Sequence, residues 1–286
     1  MTFHTIGGNI MKRIVTIQDI SCVGKCSLTV ALPIISAMGV EAAILPTAVL
    51  STHTMFQNFT VKDLTDQIEP ISEHWKKENF AFDAVYTGYL GSFEQIDLMK
   101  KFFEDFKTES NILFVDPAMA DNGKLYPAFD EAFAKHMGTL CAKADIIVPN
   151  LTEACFMTGM EYKTEYDEAY VKEVLVALSK LGAKISILTG VSFAEGKTGV
   201  MGYDSTTGEY SYYEHDKLPV SFHGTGDIFS STCVGAMMNG MPWTEAVKVA
   251  ADYTAECIRL TLEDPAKPWY GVNFEQAIPY LVNRLQ

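Results

Sequence analysis

Basic residues are scarce in this chain. Twenty-two Lys and Arg stand against 36 Asp and Glu in 286 residues, a formal charge of −14, and they gather into no run. A phosphate-backbone binder needs a Lys/Arg-rich face, so nucleic acid is excluded as a partner. Long apolar stretches are missing as well. The longest, residues 28–40, is broken by Pro33, Ser36 and Gly39. It falls short of the roughly 20 residues that cross a bilayer, so no membrane partner is expected. The opening MTFHTIGGNI holds no Lys or Arg and no apolar core, unlike a secretory leader. Residues 1–10 are therefore expected to be a disordered extension. Cysteine is present but scattered: only Cys22 and Cys26 lie close, and no second pair or His cluster completes a zinc set. Reduced thiols and a cytoplasmic location are the expectation. No Ser/Gly/Pro-rich linker or repeat divides the chain, and 48% apolar with 20% charged residues fits one globular domain over 11–286.

What is present is alternation. Residues 12–18, 40–46, 82–87, 112–115, 145–148 and 185–188 are short apolar runs of strand type. Helical patterns lie between them: 24–38, then 61–77 with Leu64, Ile68, Ile71 and Trp75 on one face, then a helix opened by Ser92 with Gln95 completing a capping box. Further helical segments fall around 128–143, 151–158 and 165–181. Residues 198–204 and 209–214 alternate about Ser-Thr-Thr-Gly, a hairpin pattern, and 227–239, 242–262 and 273–285 read as helices. Strands alternating with helices predict an α/β fold: a central, mostly parallel sheet with helices on both faces and a small β-hairpin. Ligands then bind at the carboxyl ends of the strands.

The chemistry-bearing residues fall at such ends. Gly24-Lys25-Cys26-Ser27 imitates a P-loop, but Asp19 stands where the first Gly is needed and Cys26 where Ser or Thr must follow the Lys. It reads as a tight turn into the first helix. His223-Gly224-Thr225-Gly226-Asp227 is more informative. Two glycines before a helix let consecutive N–H groups converge on an anion, reinforced by the helix dipole. Asp227 is placed either to accept a proton from an attacking hydroxyl or to cap the helix, and this segment alone does not choose. Asp116-Pro117, Asn150-Leu151-Thr152-Glu153 and Thr189-Gly190 end three other strands. Carboxylates and hydroxyls there suit Mg²⁺ and phosphate. Each alone also has a plain reading as a strand-end cap.

Seven segments occur together in order: IVTIQDISCVGKCS, LSTHT, TGYLGS, DPAMADNGK, PNLTE, LTG and GTGD. On these the chain resembles the pyridoxal kinase-type members of the ribokinase-like family over nearly all of its length from Lys12. The resemblance implies a ribokinase-like three-layer sandwich and ATP-dependent phosphorylation of the hydroxymethyl group of pyridoxal, pyridoxine or pyridoxamine. It also implies Mg²⁺, a monovalent cation such as K⁺, and a homodimer. By position, Asp227 is the catalytic base, with Gly224, Thr225 and Gly226 as the anion hole. Asn150 and Glu153 organise Mg²⁺ and its waters. Asp116 lies near metal and phosphates, and Thr189 with Gly190 touches the nucleotide. His53, Thr54 and Tyr89 line the pyridine pocket together with Asp19, while the hairpin and the turn at Lys217 lie near the nucleotide or cover the site. Two positions depart from the pattern. Asp19 stands where better-known pyridoxal kinases carry Ser and sugar kinases carry Asp. His223 is shared with hydroxymethylpyrimidine kinases, whose motif commonly ends in Cys where this chain has Asp227. The alternatives are thus a hydroxymethylpyrimidine kinase, a small-sugar kinase or a non-catalytic vitamin-binding regulator.

Overall fold

The computed structural model describes residues 11–285; the expected disorder of residues 1–10 concerns a segment outside the described residues. In chain order the elements are β1 (Arg13–Val23), α1 (Leu28–Ala37), β2 (Glu41–Thr52), β3 (Val61–Asp63), α2 (Thr65–Lys77), β4 (Ala84–Thr87), α3 (Phe93–Phe106) and β5 (Ile112–Val115). The short ribbon β6 (Ala120–Asp121) and β7 (Lys124–Leu125) follows, then α4 (Glu131–Cys141), β8 (Ile146–Ile147), α5 (Leu151–Thr158) and α6 (Glu168–Ser179). The chain finishes with β9 (Ile185–Val191), β10 (Lys197–Asp204), β11 (Glu209–Asp216), α7 (Thr225–Met238), α8 (Trp243–Glu263) and α9 (Phe274–Arg284).

Nine strands form one sheet in the order β11-β10-β9-β8-β5-β4-β1-β2-β3. The strands from β2 through β9 run parallel, and only β3, β10 and β11 pair antiparallel at the edges. Side chains alternate across the sheet, as the two-residue pleat requires. Ile14, Tyr86, Phe114 and Ile146 meet α1, α7, α8 and α9, whereas Val15, Val85, Val115 and Ile147 meet α2 to α6. Two apolar layers result, each fully buried large side chain stabilising the fold by about 1.5–3 kcal/mol before chain entropy is counted. This is the three-layer α/β sandwich that the alternation predicts. No helix among the described residues is long and apolar enough to cross a membrane.

Several boundaries differ from the sequence pattern. Residues 61–63 pair with β2 as an edge strand, and the amphipathic helix starts only at Thr65; the three exposed residues carry no apolar face to hold them helical. The 12–18 strand runs on to Val23, and the first helix begins at Leu28 rather than Gly24. The Ser92 hydroxyl accepts from the Gln95 N–H at 3.1 Å, but Gln95 Oε1 accepts from Gly91 N–H and not from Ser92. The capping box is therefore shifted by one residue on its return bond. The expected hairpin is β10–β11, which joins the main sheet through β9.

Candidate active site

The chain passes from β1 to β2 on one side and later returns to β4 on the other, so the strand order reverses at the β1/β4 boundary. In an open α/β sheet, the crevice beyond such a switch point is where ligands bind. Pairing of β1 with β4 ends at Ile17 opposite Thr87. Beyond that, β1 continues beside β2 alone, with a register shift between Gln18 and Ile20. A bulge of this kind re-aims the side chain at its centre, and here that residue is Asp19. Its carboxylate is buried at 5% exposure and accepts from Ser27 Oγ at 2.6 Å and Ser21 Oγ at 3.0 Å. Tyr89, just past β4, is half-buried and near enough that the Asp19 charge, after burial, raises its phenol pKa.

Across the crevice stands the N-terminus of α7. Its N-cap is Gly224, at φ 84°, with no side-chain cap. A Cβ at Gly224 would lie 1.8 Å from Lys25 O, so only glycine lets this turn sit against the β1–α1 connection. The first N–H with an intrahelical acceptor belongs to Ile228, bonded to Gly224 O at 3.1 Å. The N–H groups of Thr225, Gly226 and Asp227 precede it and are the ones a helix leaves over. The Thr225 hydroxyl points back to Phe222 O. Gly226 faces open space. Burial, then the negative charges of Asp116 and Asp19, push the half-buried Asp227 up to about 8, against a smaller lowering by the Ser27 N–H.

The third wall comes from β5, β8 and β9. Asp116 follows β5 and accepts from Ser230 Oγ on α7 at 2.7 Å. Asn150 caps α5: its side chain accepts from Glu153 N–H at 3.0 Å, while Glu153 Oε2 accepts from Asn150 N–H at 2.9 Å. The other Glu153 oxygen accepts from Met119 N–H at 3.0 Å, and Asn150 Nδ2 donates to Ala120 O at 2.8 Å. The α5 start thus clips the segment from Asp116 to the β6–β7 ribbon in place. Thr189 bridges to Asn150 in parallel register, and Gly190 next to it is exposed. Burial raises both Asp116 and Glu153, and the Asp116 charge adds to the rise at Glu153.

The pocket is closed by rings. His53 is 2% exposed; its Nδ1 accepts from Met55 N–H at 3.2 Å and its Nε2 lies 3.0 Å from Tyr270 O. A carbonyl can only accept, so the proton sits on Nε2 and the ring is neutral. Burial lowers its pKa in agreement. His223, Phe56, Trp269 and Tyr270 surround it, with the His53 and His223 rings 4.6 Å apart, and burial brings His223 down to about 4. Thr54 is exposed beside His53. Of this wall the sequence motifs held only His53, Thr54 and His223; Phe56, Trp269 and Tyr270 come from loops whose composition gives no signal. Ser27 and Ser230 were also silent, being ordinary helix residues by pattern.

Carboxylates dominate the centre. Asp19, Asp116, Glu153 and Asp227 are each raised above the ordinary range, and no Lys or Arg is among the groups that act on them. Such a donor set of hard oxygens suits a divalent cation that keeps waters and substrate phosphates as its remaining ligands. The described residues alone do not group three or more ligands around one point.

The phosphomethylpyrimidine kinase family profile matches residues 31–268. A Bacteroides thetaiotaomicron protein, provisionally described as a phosphomethylpyrimidine kinase and crystallised with pyridoxal, is 38% identical, covers 95% of this chain and 96% of its own, and superposes with a TM-score of 0.90. Pyridoxal kinase from Lactobacillus plantarum is 28% identical with a TM-score of 0.88, covering 96% of this chain and 98% of its own. Among curated proteins, pyridoxal kinase of Dictyostelium discoideum is 25% identical over 239 residues, 78% of this chain and 77% of that protein. The chain therefore belongs to the phosphomethylpyrimidine kinase family, within the ribokinase-like fold that the pyridoxal kinases share.

Proposed function

We propose that the chain transfers the γ-phosphoryl group of ATP to the 5′-hydroxymethyl oxygen of pyridoxal, pyridoxine or pyridoxamine, giving the 5′-phosphate in vitamin B6 salvage. The observation that carries this reading is the uncapped start of α7, whose free N–H groups and Asp227 face a crevice lined by Asp19, Tyr89 and the His53 ring. In this reading the N–H groups of Gly224, Thr225 and Gly226 stabilise charge on the phosphoryl group in flight. Asp227 takes the alcohol proton as the new P–O bond forms, and a base poised near 8 is matched to that task around neutral pH. Thr189 and Gly190 contact the nucleotide, and Asn150 orders the segment beside it. Asp19, His53, Thr54 and Tyr89 hold the pyridine. Asp116, through the oxygen that Ser230 leaves free, and Glu153, through water, would hold Mg²⁺. Mg²⁺ when bound neutralises phosphate charge, and a monovalent cation such as K⁺ belongs to the same reading. The six cysteines are free, which supports a cytoplasmic protein. Exposed Met55 and Phe59 in the loop before β3, with Val61 at its start, support a homodimer, to be checked by solution mass.

The test is a phosphoryl-transfer assay with ATP against the three vitamers, hydroxymethylpyrimidine and ribose. A vitamer turned over at least tenfold better than the others supports the reading. Transfer to hydroxymethylpyrimidine alone moves the assignment to that substrate. Pyridoxal binding without transfer to any acceptor makes the chain a vitamin-binding regulator.

A further inference from the structure

Ser27, the residue before α1, has φ 52° and ψ −136°. Glycine adopts that conformation freely, while a residue with a Cβ is strained there. A serine at an N-cap ordinarily accepts a bond from the helix it opens, yet Ser27 makes no side-chain cap bond. Its hydroxyl donates instead to Asp19 Oδ1 at 2.6 Å. Its N–H also works against the rise in the Asp227 pKa, so one residue acts on both carboxylates. The turn that carries it is held from outside: Gly224 packs directly on Lys25 O, and Lys25 Nζ reaches Glu275 at 2.6 Å. Glycine at 27 would satisfy the backbone and keep the N–H. Only the hydroxyl accounts for a serine in this place.

We infer that Ser27 is a positioning residue that fixes the Asp19 carboxylate for the substrate while sharing its backbone with the catalytic start of α7. Ser21 holds the other Asp19 oxygen at 3.0 Å, and with both oxygens held the carboxylate has one orientation. The inference rests on the kinase reading and deepens it, by assigning substrate selection to Asp19 as Ser27 sets it.

The decisive variant is Ser27→Gly, which deletes the hydroxyl and relieves the strain. The expected result is a KM for pyridoxal raised about 5- to 20-fold, between the scales of a neutral and a charge-assisted hydrogen bond, with KM for ATP within about twofold. Its Tm equals or exceeds that of the wild type, whereas Ser27→Ala raises KM similarly and lowers Tm. In an Asp19→Asn background Ser27→Gly adds less than about twofold, because the two act as one unit. A wild-type KM for pyridoxal in Ser27→Gly overturns the inference, as does a KM that rises equally for ATP with a falling Tm. If the wild type phosphorylates no vitamer, the kinase reading fails separately. Pyridoxal binding, followed by absorbance titration, then decides: equal affinity in wild type and Ser27→Gly overturns the role of Ser27, and a 5- to 20-fold loss sustains it.

Discussion

Two helices open onto the crevice with an acidic residue at their third position, and they use it oppositely. At α5, Asn150 and Glu153 close a full capping box, and Glu153 spends its second oxygen on Met119 N–H. At α7, Gly224 caps nothing and Asp227 bonds none of the helix's own N–H groups through its side chain. The same three-residue helix start, with its dipole in the same sense, is closed into a brace in one case and left open in the other. What separates them is whether the sequence supplies its own acceptors for the leftover N–H groups. A helix start that satisfies itself is finished structure; one that does not is waiting for a ligand.

The largest expected effect breaks this contrast at α7. Asp227→Asn is expected to lower kcat by about 10²-fold or more, the usual range for a positioned base, while Tm at pH 7 holds, because the folded state already keeps that carboxyl largely protonated. A variant keeping more than about a third of wild-type kcat would return Asp227 to a capping role. Asp19 comes next. A carboxylate there favours the cationic amine of pyridoxamine over pyridoxal, so Asp19→Ser is expected to shift the ratio of kcat/KM between the two by several-fold up to about thirtyfold. An unchanged ratio shows that Asp19 does not select substrate.

At α5 the response should appear in stability. Asn150→Ala is expected to cost about 1–2 kcal/mol in urea unfolding, from the lost cap. Glu153→Gln keeps the size of the box and is expected to raise the Mg²⁺ concentration for half-maximal rate; an identical Mg²⁺ titration would make Glu153 a brace only. The smallest effect is one of pH. Asp227 is raised to about 8, so the folded state binds its proton more tightly than the unfolded chain, and stability falls as pH rises through 8. Between pH 7 and 8.5 the loss is on the order of 1 kcal/mol. His53 and His223 stay neutral in the fold across that window, both having lowered pKa values. Asp227→Asn should reduce the slope, the remainder coming from the buried thiols of Cys26, Cys141, Cys233 and Cys257, which burial also raises; an unchanged slope removes Asp227 from the account.

The strand-end residues Asp116, Asn150, Thr189 and the GTGD turn were legible because each sits at a change of hydrophobic period, where a chain must turn and polar groups cluster. The helices were legible for the same reason. What escaped depends on distance in sequence. Ser27 is unremarkable until its φ is known, and no pattern announces that Tyr270 supplies the carbonyl for His53. Residues 61–63 looked helical because the apolar spacing of α2 extends through Leu64, but pairing with β2 outweighs three exposed residues' weak preference.

The bond from Lys25 to Glu275 spans 250 residues, and that from His53 to Tyr270 spans 217. Gly271 permits the closing approach, since a Cβ there would lie 2.4 Å from the Lys25 side chain. A ribosome adds about 5–20 residues per second, so β1, β2 and β4 are made many seconds before the segment that seals their crevice. The wall around His53 is therefore completed only after most of the sheet has been made. A growing chain can pair its central strands, but it cannot present the finished aromatic wall until Tyr270 and Glu275 have left the ribosome.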